Sequence, residues 1–287
     1  MIELPFVLLI TAILGAILAG FACSTMGVFV VRMNLSSIGY LMSHAAFAGA
    51  AFGLVISIDP TIGALFFSFV TALALGPLAE KARLQSNIMI GFLFSFMMAL
   101  AFIFLSFVPG QIASGKALRI LWGSIFSVTY DDILLLSLLS IILTLFIIVF
   151  YKELISVMFH KKLAEASGVN TKLFYFAVLF LTGFAVSLSL RIVGGLLVFA
   201  LIINPTSTAY QFFYDFKKIM VFSPTIGIIS CLVGFYLSLV TNFPIGASIV
   251  IISALFFAVA IVISPKRKKG NGGRKNLVQK SSVEPVR

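Results

Sequence analysis

The sequence predicts an all-α, polytopic membrane protein, and three observations lead to this fold class. Hydrophobic residues make up 61% of the 287 residues and charged residues only 10%, which is too few polar side chains to cover a soluble domain. The apolar runs are about 18–25 residues long, the length at which a helix spans a hydrocarbon core of about 30 Å. Gly, Pro and charged residues separate these runs, as expected for loops between spans.

Nine candidate spans follow in order, and we expect eight to nine transmembrane helices. They lie near residues 5–31, 38–57, 61–79, 87–108, 132–150, 172–190, 194–212, 219–240 and 246–264. The seventh begins at Gly194-Gly195 and contains Pro205, which cannot donate a backbone hydrogen bond. The sequence therefore leaves open whether this segment crosses the membrane completely.

The distribution of Lys and Arg predicts the orientation of the spans. With the N-terminus outside, the inner loops and the tail hold most of the 20 Lys and Arg residues, whereas the outer side holds only Lys116, Arg119 and Arg191. This asymmetry is typical of membrane proteins. We expect a transmembrane domain over 1–265 and a basic, disordered cytoplasmic tail over 266–287. The tail faces anionic lipid head groups, a role that we favour over nucleic-acid binding.

His44 is the most informative candidate for a functional residue. It lies in the second span among small and apolar residues, and an ionisable side chain at this depth marks a substrate pathway or a structural polar contact. Tyr40 lies one helical turn earlier, so the phenol and the imidazole are side by side, with the Ser43 hydroxyl adjacent. A neutral imidazole is a common metal ligand, but an interhelical hydrogen bond explains His44 equally well.

Small residues on a neighbouring strip of the same span predict close helix packing. Ala45, Gly49 and Gly53 are each four residues apart, and such a ridge lets another helix approach closely.

A second group of polar residues, Asn204–Thr208, surrounds Pro205. Because proline leaves a carbonyl unpaired one turn earlier, we expect Asn204 and the neighbouring hydroxyls to satisfy it or to line a wet cavity. A kinked helix that caps itself is the simpler interpretation.

The acidic residues argue against a secondary carrier. All nine lie at span ends, in loops or in the tail: Glu3, Asp59, Glu80, Asp131, Asp132, Glu153, Glu165, Asp215 and Glu284. Ion-coupled carriers usually hold a carboxylate or unwound backbone near the middle of the membrane.

The loop 151–172 is the largest one predicted on the cytoplasmic side. It contains a short amphipathic stretch near 160–167, followed by Gly168 as a helix C-cap. Such a helix suits docking to a cytosolic partner, although a plain connector is also compatible. The chain contains no GxxxxGK[ST] motif, so any ATPase that drives it is a separate subunit.

Four segments in order resemble the permease subunits of the ABC-3 family, the metal-ion ABC importers for zinc, manganese and iron. They are STMGVFVVRMNLSSIGYLMSHAAFAGAAFG, IMIGFLFSFMMAL, VGGLLVFALIINPTSTA and FPIGASIVII, and the loop HKKLAEASGV resembles the coupling segment of the family. The resemblance covers about residues 5–265.

The resemblance implies a function for this chain. It implies a multi-pass permease in the cell membrane, paired as a homodimer, which moves a divalent transition metal, most readily zinc or manganese, into the cytoplasm. Cytosolic ABC ATPase subunits would bind ATP, and an extracytoplasmic metal-binding protein would deliver the ion. The permease itself would be no enzyme and would hold no permanent cofactor.

The family motif G-D-x-x-S-H, whose Asp and His are assigned to the metal site, departs here at one position. His44 matches, but Tyr40 stands in place of the Asp. A phenol is a weaker, neutral oxygen ligand, and we hypothesise that Asn204 partly compensates. Ala164 and Gly168 occupy the recurrent small positions of the coupling segment, and His160 stands where an acidic residue is common in the family. The resemblance thus implies that these three residues couple to the ATPase, and we do not assign His160 to the metal.

Two alternatives remain at this stage. A siderophore- or cobalamin-type permease shares the general architecture but is usually longer. An intramembrane enzyme or a secondary carrier is less compatible, because the second-span histidine has no acidic partner within the predicted spans.

Overall fold

The computed structural model describes residues 6–82, 86–108, 123, 128–195 and 198–264. The predicted tail 266–287 and the basic residues Lys116 and Arg119, which we predict on the outer side, lie outside these residues. Within the described ranges the regular structure is entirely helical, in agreement with the predicted all-α class.

Eleven helices make up the described chain. In order they are α1 Phe6–Arg32, α2 Ile38–Val55, α3 Pro60–Ala82, α4 Ser86–Phe107, α5 Tyr130–Val149, α6 Tyr151–Phe159, α7 Lys161–Ala166, α8 Thr171–Val193, α9 Val198–Phe212, α10 Phe216–Thr241 and α11 Ile245–Ile263.

Eight of the described helices are long and apolar enough to cross a membrane. The exception among the nine predicted spans is α9, which begins at Val198 and has 15 residues. At 1.5 Å per residue it is about 22 Å long, too short for a hydrocarbon core of about 30 Å. The helix before it ends at Gly194, whose φ of 94° favours glycine. Of the segment 194–212, the structure thus describes a helix over Val198–Phe212, and Val198 N–H donates to the Gly194 carbonyl at 3.1 Å.

Polar residues at the N-terminus explain where two of the spans, α5 and α10, begin. Asp215 accepts a hydrogen bond from the Lys217 backbone at 3.0 Å at the start of α10. Thr129 and Asp132 form a capping box at the start of α5. Because side-chain oxygens satisfy the free N–H groups of a first turn, these carboxylates serve as caps at span ends rather than as groups in mid-membrane.

The helices differ in how much of their surface is covered. About three quarters of the α2 window is buried (78%), against 28% for α4 and for α5. The peripheral helices expose large apolar side chains such as Phe92, Leu134 and Ile141, which suits contact with lipid tails. The helix that carries His44 is therefore an interior helix of the bundle.

Glycines allow α2 and α3 to cross at backbone distance. A Cβ atom on Gly49 would overlap the carbonyl oxygen of Gly63, and a Cβ on Gly63 would overlap the carbonyl oxygen of Gly49. Near the same end, Gly53 lies against Pro60. The ridge of small residues on α2 is thus the face on which α3 packs.

A buried cluster of hydroxyl groups joins α1, α9 and α10. Ser223 donates to the Ser24 carbonyl at 2.9 Å, and the Thr206 hydroxyl lies 2.7 Å from the Ser223 hydroxyl. Ser24 in turn donates its own hydroxyl to the Leu201 carbonyl at 3.1 Å. We call Ser24, Thr206 and Ser223 the hydroxyl cluster. It fixes three interior helices at one level of the bundle.

Candidate metal site

His44 is held in one orientation by its own helix. Its side chain is 6% exposed, and its Nδ1 lies 2.9 Å from the Tyr40 carbonyl oxygen. Because a carbonyl oxygen only accepts hydrogen bonds, the contact places the proton on Nδ1 and leaves the Nε2 lone pair unused by it. A histidine oriented in this way through one nitrogen is prepared to bind a metal ion through the other.

Two aromatic contacts enclose the two candidate ligands. The Phe94 ring of α4 meets the imidazole edge-on, with centroids 4.5 Å apart. The Tyr40 ring stacks on Phe199 of α9 at 3.9 Å. Tyr40 nevertheless remains 40% exposed. The pair thus combines a buried imidazole with an open phenol.

Ser43 lies between the two ligands in sequence, and its side chain is fully buried. Its hydroxyl has no hydrogen-bond partner within the part of the chain that the structure describes. The described residues also contain no group of three or more His, Cys, Asp or Glu side chains that could hold a metal ion. His44 is therefore a single candidate ligand rather than part of a cluster of such side chains in the described residues.

Asn204 is directed towards α11. Its amide donates to the Ser253 hydroxyl at 3.0 Å, and among the described residues no hydrogen bond joins it to His44. The idea that Asn204 compensates for the missing carboxylate therefore stays a prediction.

The carbonyl that Pro205 leaves unpaired is satisfied from another helix. Proline at 205 lacks the N–H that would reach Leu201, and Ser24 of α1 supplies the hydrogen bond instead. The sequence predicted that polar residues within 204–208 would satisfy this carbonyl. Of these residues, Thr208 donates its hydroxyl to the Asn204 carbonyl at 2.7 Å instead. Ser24 carried no signal in the sequence, because only tertiary packing brings it to this carbonyl.

The loop 151–172, in which we predict the coupling segment, folds as two short helices, α6 and α7, before α8 begins at Thr171. Val169 N–H donates to the Ala164 carbonyl at 3.0 Å and Gly168 N–H to the Glu165 carbonyl at 3.0 Å, the two bonds of a Schellman C-cap. Gly168 has a φ of 82°, which accounts for glycine there. Ala164 is fully buried, whereas His160, between the two helices, is exposed.

Comparison with known proteins identifies the chain. The model of the ABC 3 transport family matches residues 5–264. The chain belongs to the ABC 3 transport family. This membership confirms the resemblance seen in the sequence, and with the eight apolar helices it makes the chain a multi-pass ABC transporter permease of the plasma membrane.

Several relatives match this ABC 3 permease over almost its whole length. The manganese transport system membrane protein MntC of Listeria monocytogenes is 32% identical, covering 89% of this chain and 90% of the relative. The manganese import system permease protein ScaB of Streptococcus parasanguinis is 26% identical, covering 90% of this chain and 91% of the relative.

Two solved structures share the fold. PsaBC from Streptococcus pneumoniae in complex with Fab matches with a TM-score of 0.82 at 27% identity, covering 92% of this chain and 94% of that chain. An inward-facing structure of a putative metal-chelate type ABC transporter matches with a TM-score of 0.70 at 20% identity, covering 88% and 85%. At that identity the second likeness speaks for the fold alone.

Proposed function

We propose that this permease moves manganese into the cytoplasm, with His44 as the ligand that the ion meets within the membrane. The observation that carries the proposal is the orientation of His44, whose Nδ1 is bound to the Tyr40 carbonyl while Nε2 keeps its lone pair. Relatives named as manganese transport proteins at 26–32% identity support this choice of metal over zinc and iron.

The ligand chemistry is compatible with weak, reversible binding of Mn²⁺. Manganese binds oxygen and nitrogen ligands and has the lowest affinity in the first-row divalent series. His44 supplies nitrogen and Tyr40 a neutral oxygen, and no carboxylate adds charge. Selectivity for manganese therefore depends on what is delivered to the permease, because an imidazole by itself prefers zinc.

A complete coordination shell requires ligands from outside one chain. We propose that a second copy of the permease faces the exposed side of Tyr40, so that two imidazoles and two phenols meet at one pathway. Such a homodimer would have the closed two-fold symmetry that most oligomers adopt.

The other subunits supply energy and substrate. We propose that a cytosolic ATP-binding subunit docks on α7, since the buried Ala164 anchors that helix and its charged residues stay accessible. Because the sequence has no P-loop motif, ATP hydrolysis belongs to that other subunit. An extracytoplasmic metal-binding protein would deliver the ion to the opposite face. The N-terminus would lie outside and the C-terminus inside.

The test compares His44 with a control position outside the metal site and the proposed docking helix. In cells that express the whole transporter, we expect His44→Ala to reduce manganese uptake at least about tenfold, since losing even a partner of a metal ligand typically costs about 10–100-fold. Thr225→Ala, which removes an exposed hydroxyl that bonds its own helix, should keep uptake of the ion. Membrane levels of both variants are measured in parallel.

Tyr40 is tested by a variant that keeps its ring. Tyr40→Phe preserves the stack on Phe199 and removes only the hydroxyl. If the phenol is a ligand, the manganese concentration for half-maximal uptake rises while membrane levels stay the same. Two results would contradict the proposed function. One is normal manganese uptake by His44→Ala, and the other is that this variant loses uptake of zinc or iron instead of manganese.

A further inference from the structure

A cation and three aromatic rings join the coupling segment to the transmembrane helices. Arg32 is the last residue of α1, and its guanidinium carbon lies 4.0 Å above the centre of the Phe159 ring. Phe159 is the last residue of α6 and directly precedes the turn into α7. The contact therefore links the end of a transmembrane helix to the base of the helix proposed to dock the ATPase.

The Arg32 guanidinium stacks on the face of this ring. Its buried Nε has no hydrogen-bond partner within the described chain. A planar guanidinium suits such stacking. A contact of this kind holds its two partners in a defined relative position.

Phe216 extends the contact to a second transmembrane helix. It is the first residue of α10, and its ring meets Phe159 edge-on with centroids 6.2 Å apart. The same ring meets Phe29 of α1 edge-on at 6.4 Å. Edge-to-face pairs at these distances are favourable. The end of α6 is thus fixed between the adjoining ends of α1 and α10.

From α1 and α10 the contacts continue to the candidate metal site. The hydroxyl cluster ties Ser24 of α1 and Ser223 of α10 to Thr206 of α9. α9 carries Phe199, which stacks on Tyr40, and the Tyr40 carbonyl holds the His44 ring. Each step is a packed contact or a hydrogen bond, which is the physical form that coupling between distant sites takes.

We infer that Arg32 and Phe159 are positioning residues that transmit movement of the docked ATPase from α6–α7 to the helices around His44. The inference rests on the proposed function, because it requires an ATPase on α7 and metal transport at His44. It adds which side chains carry the movement. Removing their contact should leave docking and ATP hydrolysis intact and should uncouple them from transport.

The experiment uses the permease purified with its ATP-binding subunit and reconstituted in liposomes. Three quantities are measured: the amount of ATPase that co-purifies, the rate of ATP hydrolysis, and manganese uptake per ATP. Phe159→Leu removes the aromatic face and keeps an apolar side chain. Phe150→Leu is the matched control, because Phe150 lies at the other end of α6 with similar exposure, 39% against 46% for Phe159, and packs on Phe146 and Phe174.

We expect Phe159→Leu to lower manganese uptake per ATP about three- to tenfold, the range that corresponds to a partly buried cation–π contact. Co-purification and ATP hydrolysis should stay near their original values. Phe159→Tyr keeps a ring over which the guanidinium can stack and should restore the ratio. Arg32→Gln should act like Phe159→Leu, and the double variant should be no worse than either single one.

Three results would overturn the inference. The first is an unchanged ratio of uptake to hydrolysis in Phe159→Leu or Arg32→Gln. The second is failure of the ATPase to co-purify with these variants, which would make the pair a docking or folding element. The third is an equal loss of the ratio in Phe150→Leu. If the unmodified complex holds no ATPase or moves no manganese, the proposed function itself fails. This result is distinguishable from a coupling defect, which would appear only in the variants.

Discussion

The crossing of α2 and α3 at Gly49 allows a quantitative prediction. A Cβ atom at this position would lie 2.6 Å from the Gly63 carbonyl carbon and 2.8 Å from the Phe67 Cβ. Carbon atoms pack best at about 3.5–4.0 Å, so Gly49→Ala requires the two helices to separate by about 1 Å. Both close atoms belong to rigid parts of α3, and no side-chain rotation relieves the contact.

The expected cost of Gly49→Ala follows from two opposing effects. Overpacking of this kind costs about 1–3 kcal/mol, while replacing a helical glycine by alanine returns about 0.5–1 kcal/mol. Gly91 on α4 is the matched control, because a Cβ there meets nothing within 4 Å, and its replacement by alanine should be neutral or stabilising.

The assay is the temperature at which half of the detergent-purified protein is lost from the monodisperse fraction on heating. At about 2–4 °C per kcal/mol, Gly49→Ala should lower this temperature by several degrees relative to Gly91→Ala. Manganese uptake should fall as well, since α2 carries His44. Equal stability of the two variants would refute the backbone contact between α2 and α3.

Two further predictions concern the hydroxyl cluster and the coupling segment. Ser24→Ala should lower the stability by about 1–3 kcal/mol, because the buried Leu201 carbonyl loses its donor. The control is Ser230→Ala, which removes a hydroxyl that bonds its own helix and should cost less in the same thermal assay. An equal loss of stability in the two variants would contradict the role of Ser24. Gly168→Ala forces alanine to a φ of 82°, which costs about 1–2 kcal/mol of conformational energy. Amide hydrogen exchange should therefore accelerate in α7 and stay unchanged in α8. Unaltered exchange in α7 would show that the C-cap does not hold this helix.

Local sequence features predicted most of the fold. Span positions agree with the helices to within four residues, because burial in lipid depends on apolar runs of sufficient length. The spacing of Tyr40 and His44 places them on one face of a helix, but the contact in the structure is from the His44 ring to the Tyr40 backbone carbonyl, and the pairing of phenol and imidazole stays a prediction. The C-cap at Gly168 follows from the conformation that glycine adopts readily. Each of these depends on neighbours in the chain.

The candidate site was predictable only in part. The sequence pointed to His44 but gave no reason to choose Phe94 or Phe199 from the 31 phenylalanines. The helix end at Val193 was equally hidden, because hydropathy continues through the glycines at 194–195.

The sequence by itself determined the class of the protein, the order of its helices and the histidine at membrane depth. Hydrophobicity, helical periodicity and capping are properties of short segments, so these features can be read without knowing the packing. Only the tertiary structure decided that Ser24 satisfies the carbonyl left free by Pro205 and that Arg32 stacks on Phe159. Such contacts depend on which helix faces join, and partners more than 100 residues apart in the chain meet only when the whole bundle has assembled.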